Sequence, residues 1–229
     1  MSYSLVAAFD IGITNLSICI MEKNNQDLKI LKWNIINICS DNLKCCKKLK
    51  NGNRCGKIAH YIEDGCCYCA SHKNENCKKI KKENSDNLMD YGLNMYRILD
   101  EEYKELLLKC TDIIIENQPV KINATIKSIQ MILFSYFINK NKNVNLVNAI
   151  YKLKINEEYT KKYIGENKGS EYSKRKKLSI IYAYKILEKT NIENSLLSSF
   201  TNHKKKDDLA DSLLYCYYWI FKKNSLVMF

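Results

Sequence analysis

Three apolar segments, far apart in the chain, each meet acidic residues. LVAAFD ends at Asp10, IIIE ends at Glu116, and KKKDDLADSLLY sets Asp207, Asp208 and Asp211 at the start of a stretch ready for burial. A carboxylate turned into a packed interior loses hydration that only a partner restores. The pattern therefore calls for solvated helix starts or for a cation. A lone aspartate after a strand is ordinarily a turn residue or cap, and Asp207 and Asp208 alone would be favourable charges at a helix N-terminus. Asp211 fits neither account, because it falls a turn inside an apolar helix.

The surrounding pattern predicts an α/β domain. Leu5–Phe9 and Leu16–Met21 are apolar runs about Gly12, and Lys29–Ile38 alternates apolar with polar, which together read as an antiparallel meander. Apolar residues from Leu88 to Leu107 recur at helical spacing, with Ser85 or Asp86 as the cap. Asp112–Ile115 is a short buried strand with Glu116 at its end, and Pro119 stops anything regular beyond it. A helix over Ala124–Phe137 followed by a strand over Val144–Ile150 implies a right-handed βαβ crossover. Tyr151–Lys177, with Gly165 and Gly169, reads as a polar, mobile connection. Leu178–Lys189 and Asp207–Phe221 close the chain as helices.

Between Asp41 and about Lys82 the periodicity collapses into Cys, Lys, Asn and Gly, a segment too poor in apolar residues to fold without a staple. The expected organisation is a main domain over 1–40 and 83–229 and a cysteine-rich insert over 41–82. The 11 cysteines are odd in number, the chain is not short, and most of them crowd into this insert, which favours metal over disulfides. Structural Zn²⁺ takes four thiolates or imidazoles. The expected set is Cys46, Cys55, Cys69 and His72: the last two form a C-x-x-H knuckle, and the first two bracket the turn NGNR. Cys45, Cys66 and Cys67 are alternatives. Cys19, Cys110 and Cys216 lie in apolar stretches and read as core.

If Asp10, Glu116, Asp208 and Asp211 converge, their repulsion is relieved by divalent cations. Hard oxygen ligands suit Mg²⁺ or Mn²⁺, and two such ions about 3.5–4 Å apart support in-line phosphodiester cleavage. Asp207 also shares a helical face with Asp211, so it competes with Asp208. The net charge of +12 favours a polyanionic partner. Lys174, Arg175, Lys176 and Lys177, with Lys204, Lys205 and Lys206, would neutralise phosphates beside the acidic residues. Tyr151, Tyr159, Tyr163 and Tyr172 would either stack on unpaired bases or pack. Neither a signal peptide nor a membrane-spanning run is recognisable, so the expectation is a soluble, intracellular protein with no membrane partner.

AFDIGITNLSICI, IIIENQP and KKKDDLADSLLY, in this order, resemble the catalytic segments of RuvC-like Holliday junction resolvases, most closely the poxvirus-type enzymes of large DNA viruses. EYSKRKKLSI resembles the basic segment before that family's penultimate helix. The resemblance spans Leu5 to about Tyr218, apart from the insert. It implies a ribonuclease H-like fold, a mixed five-stranded sheet flanked by helices, and a homodimer. It implies symmetric, Mg²⁺-dependent cleavage of four-way DNA junctions at a site of viral DNA replication, with Asp10, Glu116, Asp208 and Asp211 as metal ligands. The D-x-x-D spacing favours Asp208 over Asp207. C-x8-C…C-x2-H inserts resemble those of resolvase relatives in other large DNA viruses, whereas the poxvirus enzymes lack them. Two other readings stand beside this one: a nuclease of RNA–DNA hybrids, and a zinc-stapled nucleic-acid-binding protein without catalysis.

Overall fold

β1 (Tyr3–Asp10), β2 (Leu16–Asn24) and β3 (Asp27–Ile36) form the expected antiparallel meander, with Asp10 opposite Ser17 across the first pair. The loop between β1 and β2 needs its glycine, since a Cβ on Gly12 would stand 2.7 Å from the Asn15 carbonyl oxygen. The computed structural model describes residues 3–25, 27–39, 45–50, 52–57, 59–79, 87–121, 123–190 and 192–223. The expected cap residues Ser85 and Asp86 lie outside them.

The chain divides into two units, Met1–Ile38 with Gly92–Phe229, and Cys39–Tyr91. The second unit contains a small antiparallel sheet of β4 (Tyr61–Glu63), β5 (Cys66–Tyr68) and β6 (Lys78–Lys79), in the order β5-β4-β6. Its buried apolar side chains, among the described residues, are Cys45, Ala59 and Cys69. So small a core cannot by itself offset the entropy of ordering.

The long helix is α1 (Leu88–Ile98), a π-helical turn over Leu99–Tyr103, and α2 (Lys104–Lys109). Asn87 and Asp90 cap its start reciprocally, Asn87 Oδ1 accepting from the Asp90 N–H at 3.0 Å and Asp90 Oδ2 from the Asn87 N–H at 3.3 Å. β7 (Asp112–Glu116) is buried along its whole length, α3 (Ala124–Asn139) follows, and β8 (Val144–Val147) pairs parallel to β7. The sheet order is β3-β2-β1-β7-β8, mixed, with β1 and β7 parallel.

The predicted strand over Val144–Ile150 ends early. Asn148 Oδ1 accepts from the Ile150 N–H at 3.0 Å and starts a 3₁₀ helix over Ala149–Leu153. The supposed mobile connection is likewise folded, into α4 (Glu157–Glu166) and the first turns of α5 (Glu171–Leu187). Asn156 and Ser170 cap these helices through their side chains. Tyr159 packs on Tyr182 at 6.0 Å, which gives the polar segment an anchor. α6 (Asn194–Asn202) was not foreseen; its buried Phe200 stacks on Trp33 at 4.6 Å. α7 (Lys206–Lys223) closes the described chain.

Alternation along the strands assigns the two faces of the sheet. Val6 and Ala8 of β1, Cys19 and Met21 of β2 and Ile114 of β7 join the core that α5 and α7 cover. On the opposite parity, Phe9 meets Phe137 of α3 at 5.4 Å. Asp10 continues the Val6–Ala8 row, and Glu116 continues from Ile114. Both carboxylates are thereby aimed at the layer that contains α7. The mixed five-stranded sheet between helical layers is the ribonuclease H-like fold expected from the sequence. Among the described residues no helix is long and apolar enough to cross a membrane.

Candidate active site and metal centre

Parallel pairing in the register Phe9–Ile115 brings the ends of β1 and β7 to one edge, so Asp10 and Glu116 are neighbours. The chain after Glu116 is pinned by the Asn117 N–H donating to Val147 O and the Gln118 N–H to the buried Gln130 Oε1, both at 2.7 Å. α7 is locked across the sheet by Ser17 and Ser212, whose hydroxyls are 2.7 Å apart, and by Trp33 Nε1 donating to Leu209 O at 2.9 Å. These contacts use one helical stripe. Asp208, Asp211 and Tyr215 occupy the adjacent stripe at spacings of three and four. Asp10, Glu116, Asp208 and Asp211 therefore line one cleft of about 420 Å³.

Asp207 is turned aside. It pairs with Lys176, and although burial opposes this, the Lys176 bond holds its carboxyl below the ordinary aspartate range. Asp208 faces the cleft with its pKa raised by burial and by Asp207. Burial, then Glu116 and Asp211, pushes Asp10 well up. Asp211, 7% exposed, is raised by burial and eased by Lys152.

Lys152 was missing from the sequence reading. It stands in the 3₁₀ helix after β8, the strand beside β7, and its Nζ lies 2.5 Å from Asp211 Oδ2 and 3.7 Å from Glu116 Oε2. Burial lowers the pKa of its ammonium, but Asp211, Glu116 and Asp10 together raise it. The signal for it was topological: parallel strands deliver the residues after their C-terminal ends to one edge. Tyr215, also unforeseen, places a buried hydroxyl near Glu116 without hydrogen-bond alignment.

The residues fit divalent cations. Glu116 Oε2 and Asp211 Oδ1 are buried oxygens with no hydrogen-bond partner, in a cleft where Lys152 contacts Glu116 and Asp211 and Lys176 stands 3.9 Å from Asp208 Oδ1. Four carboxylates against two ammonium groups, one of them shared with Asp207, leave excess negative charge for Mg²⁺ or Mn²⁺.

Of the seven predicted phosphate contacts, Arg175 and Lys176 line the cleft. Lys176 is committed to Asp207, and Arg175 Nη2 lies 2.5 Å from the exposed Glu171. Lys174 donates to Ile164 O at 2.6 Å, outside the cleft. Lys177, Lys204 and Lys205 are exposed, and Lys206 half-buried. Three of the four tyrosines pack: Tyr151 stacks on Tyr218 at 5.3 Å, and Tyr159 and Tyr163 lie against the core. Tyr172, 70% exposed, remains at the cleft.

In the second unit one expected zinc ligand is replaced. Cys45, not Cys46, joins Cys55, Cys69 and His72, their ligand atoms all within 4.8 Å of one another. Cys45 Sγ and Cys69 Sγ stand 3.6 and 3.5 Å from His72 Nδ1, and Cys55 Sγ 4.0 Å from Cys69 Sγ. A tetrahedron with arms of about 2.3 Å has edges of about 3.8 Å, so the spacing suits Zn²⁺. Successive side chains in extended backbone point to opposite sides, so Cys45 and Cys46 cannot both face the cluster. Cys46 Sγ instead meets Cys67 O at 3.1 Å. Burial opposes ionisation of Cys45, but backbone N–H groups of Cys69 and Lys47 and the His72 ring lower its pKa to about 6, a thiolate ready for metal.

Residues 116–227 match the family model described as "Mitochondrial resolvase Ydc2 / RNA splicing MRS1". Uncharacterized protein L451 of Acanthamoeba polyphaga mimivirus is 24% identical, over 94% of this chain and 74% of its own. The crystal structure of the yeast mitochondrial Holliday junction resolvase Ydc2 superposes with a TM-score of 0.55 at 17% identity, over 95% of this chain and 79% of that one. Thermus thermophilus RuvC gives a TM-score of 0.46 at 10% identity, with 98% of each chain covered. The family-model match runs from Glu116 at the end of β7 through α7, the part of the chain that supplies Glu116, Asp208 and Asp211, and the likeness to the Ydc2 structure is one of fold.

Proposed function

We propose that this chain is a structure-selective endonuclease that resolves four-way DNA junctions by divalent-metal-dependent hydrolysis. One observation carries the reading: Asp10, Glu116, Asp208 and Asp211, from three separated segments, line a cleft in which two buried carboxylate oxygens have no hydrogen-bond partner. Asp10, Glu116, Asp208 and Asp211 are the residues that would hold Mg²⁺ or Mn²⁺. When bound, such ions supply Lewis-acid stabilisation of the phosphoryl oxygens and lower the pKa of water. Glu116 and Asp211 are held rigidly by β7 and α7, which orients their oxygens before substrate arrives. Lys152, 2.5 Å from Asp211 and 3.7 Å from Glu116, offsets part of their negative charge in the meantime. Arg175 and Lys176 offer positive charge beside the acidic residues, where a phosphate backbone would lie.

Two symmetric cuts need two such clefts. α1 and α3 expose Leu93, Met131 and Ile138, an apolar surface suited to a second copy of the chain.

The deciding experiment is cleavage of a mobile four-way junction with Mg²⁺, with the nicks mapped and an RNA–DNA hybrid as the comparison. Paired nicks on opposing strands of the junction are expected. Faster cleavage of the hybrid, or none of either substrate, would reject the reading.

A further inference from the structure

Within the stretch CCKKLKNGNRCGK, the described residues 45–50 and 52–57 pair as the two arms of a hairpin. The Cys45 N–H donates to Lys57 O and the Cys55 N–H to Lys47 O, both at 2.8 Å. Leu49 N–H donates to Asn53 O at 2.8 Å, and Gly52 N–H closes the turn onto Leu49 O at 2.9 Å. Lys48 and Arg54 form an antiparallel bridge between the two arms. Lys47, Lys48, Lys50, Arg54 and Lys57 are all exposed, and no acidic residue occurs between positions 45 and 57. None of the five is ion-paired with a described residue.

A run of lysines on a surface is ordinarily only solvated. Two features here are different. Like charges directly opposite across a strand pair destabilise it, and this hairpin places Lys48 against Arg54. The same hairpin is fastened at its base by Cys45 and Cys55, half of the metal cluster. A metal on that cluster would hold the repelling charges in place, an arrangement that suits an anion spanning the two cations. Leu49, 39% exposed, stands between Lys48 and Lys50 at the turn.

We infer that the hairpin 45–57 is a metal-fastened docking element for the phosphate backbone of nucleic acid. The nucleic-acid choice of ligand rests on the nuclease reading. Lys48, Lys50 and Arg54 contact phosphates, and the Cys45–Cys55–Cys69–His72 cluster with Zn²⁺ keeps their spacing.

The test uses the full chain with Asp211→Asn to prevent cutting, and Ca²⁺ in place of Mg²⁺. Binding to a four-way junction is followed by fluorescence anisotropy between 50 and 200 mM salt, in the parent and in Lys48→Ala/Lys50→Ala/Arg54→Ala. Each lost phosphate contact lowers the log–log salt slope by about 0.9, so the triple variant should lose about 2 to 3 from the slope and bind at least roughly tenfold more weakly. Its zinc content should be unchanged, which checks that the unit is intact. Cys55→Ser should lose zinc and bind as weakly as the triple variant. Unchanged affinity and slope in the triple variant overturn the inference, and full binding by zinc-free Cys55→Ser overturns the metal's part in it. Loss of binding to phosphatidylserine vesicles, with junction binding untouched, would assign the hairpin to a membrane and overturn it too. If the unmutated chain neither binds nor cuts a junction, the nuclease reading is what fails.

Discussion

The Lys152 ammonium lies 2.5 Å from Asp211 Oδ2, on the same carboxylates that a divalent cation would use. Both side chains are nearly buried, with 14% and 10% exposed. In that setting the lysine is the counter-ion that lets the cleft fold without metal. A buried pair is costly to break because the remaining charge has neither water nor partner.

Lys152→Met should therefore weaken the Mg²⁺-free protein by about 3 kcal/mol, read from the denaturant midpoint. Saturating Mn²⁺ should restore most of the loss, because the ion replaces the missing positive charge. An equal loss with and without Mn²⁺ would indicate only a packing role.

The acidic cleft also sets a pH dependence with a definite sign. Burial, followed by neighbouring carboxylates, raises Asp10 well above its unfolded value, so the folded state binds its proton more tightly. Stability contributed by that proton is full at low pH and is lost as the pH rises through the raised folded pKa. Asp10→Asn should make the Mg²⁺-free protein more stable than the parent at neutral pH, by about 1.4 kcal/mol for each unit of the shift. The advantage should vanish below about pH 4, where the unfolded aspartate is protonated too. Asp100 and Asp207, both held below the ordinary range, tilt the whole-protein curve the other way, so the comparison must be of parent with variant.

Adjacent aspartates at the start of α7 differ in setting, although the Lys176 ammonium bonded to Asp207 also stands 3.9 Å from Asp208. Asp207 is paired with Lys176, whereas Asp208 faces the cleft. Asp208→Asn should slow junction cleavage by roughly a hundredfold or more, in line with the several kcal/mol that a metal contributes. Asp207→Asn should change the rate by no more than about threefold. Single-turnover cleavage with Mg²⁺ measures both, and the reverse order would exchange the two assignments.

What the sequence disclosed was whatever short-range periodicity encodes. Apolar runs in β1 and β2, alternation in β3 and helical spacing from Leu88 onward gave the meander and the long helix, and the carboxylates that end β1 and β7 were visible as breaks in apolar runs. Lys152 was hidden because its role depends on β8 lying parallel beside β7, a pairing 31 residues apart in sequence, between Ile113 and Val144 at its start. Composition misled over Tyr151–Lys177: lysines and glycines looked like a loop, but Asn156 and Ser170 cap two helices, and Tyr159, Tyr163 and Tyr182 pack inward from them. Asp208 was separable from Asp207 in sequence only by analogy, since three- and four-residue spacings share a helical face equally well.

The choice between Cys45 and Cys46 was a matter of strand parity, which spacing to Cys55 does not reveal. Parity makes a sharp prediction for metal content. Cys46→Ser removes a thiol bonded to Cys67 O and should retain about one equivalent of zinc, whereas Cys45→Ser removes a cluster ligand and should lose it. Elemental analysis after gel filtration measures this directly. Because three ligands bind a structural zinc far less tightly than four, Cys45→Ser should also leave the unit Cys39–Tyr91 open to protease at neutral pH, with the Cys46→Ser protein cut no faster than the parent. Zinc retained by the first variant and lost by the second would mean that the two thiols exchange places when the metal binds.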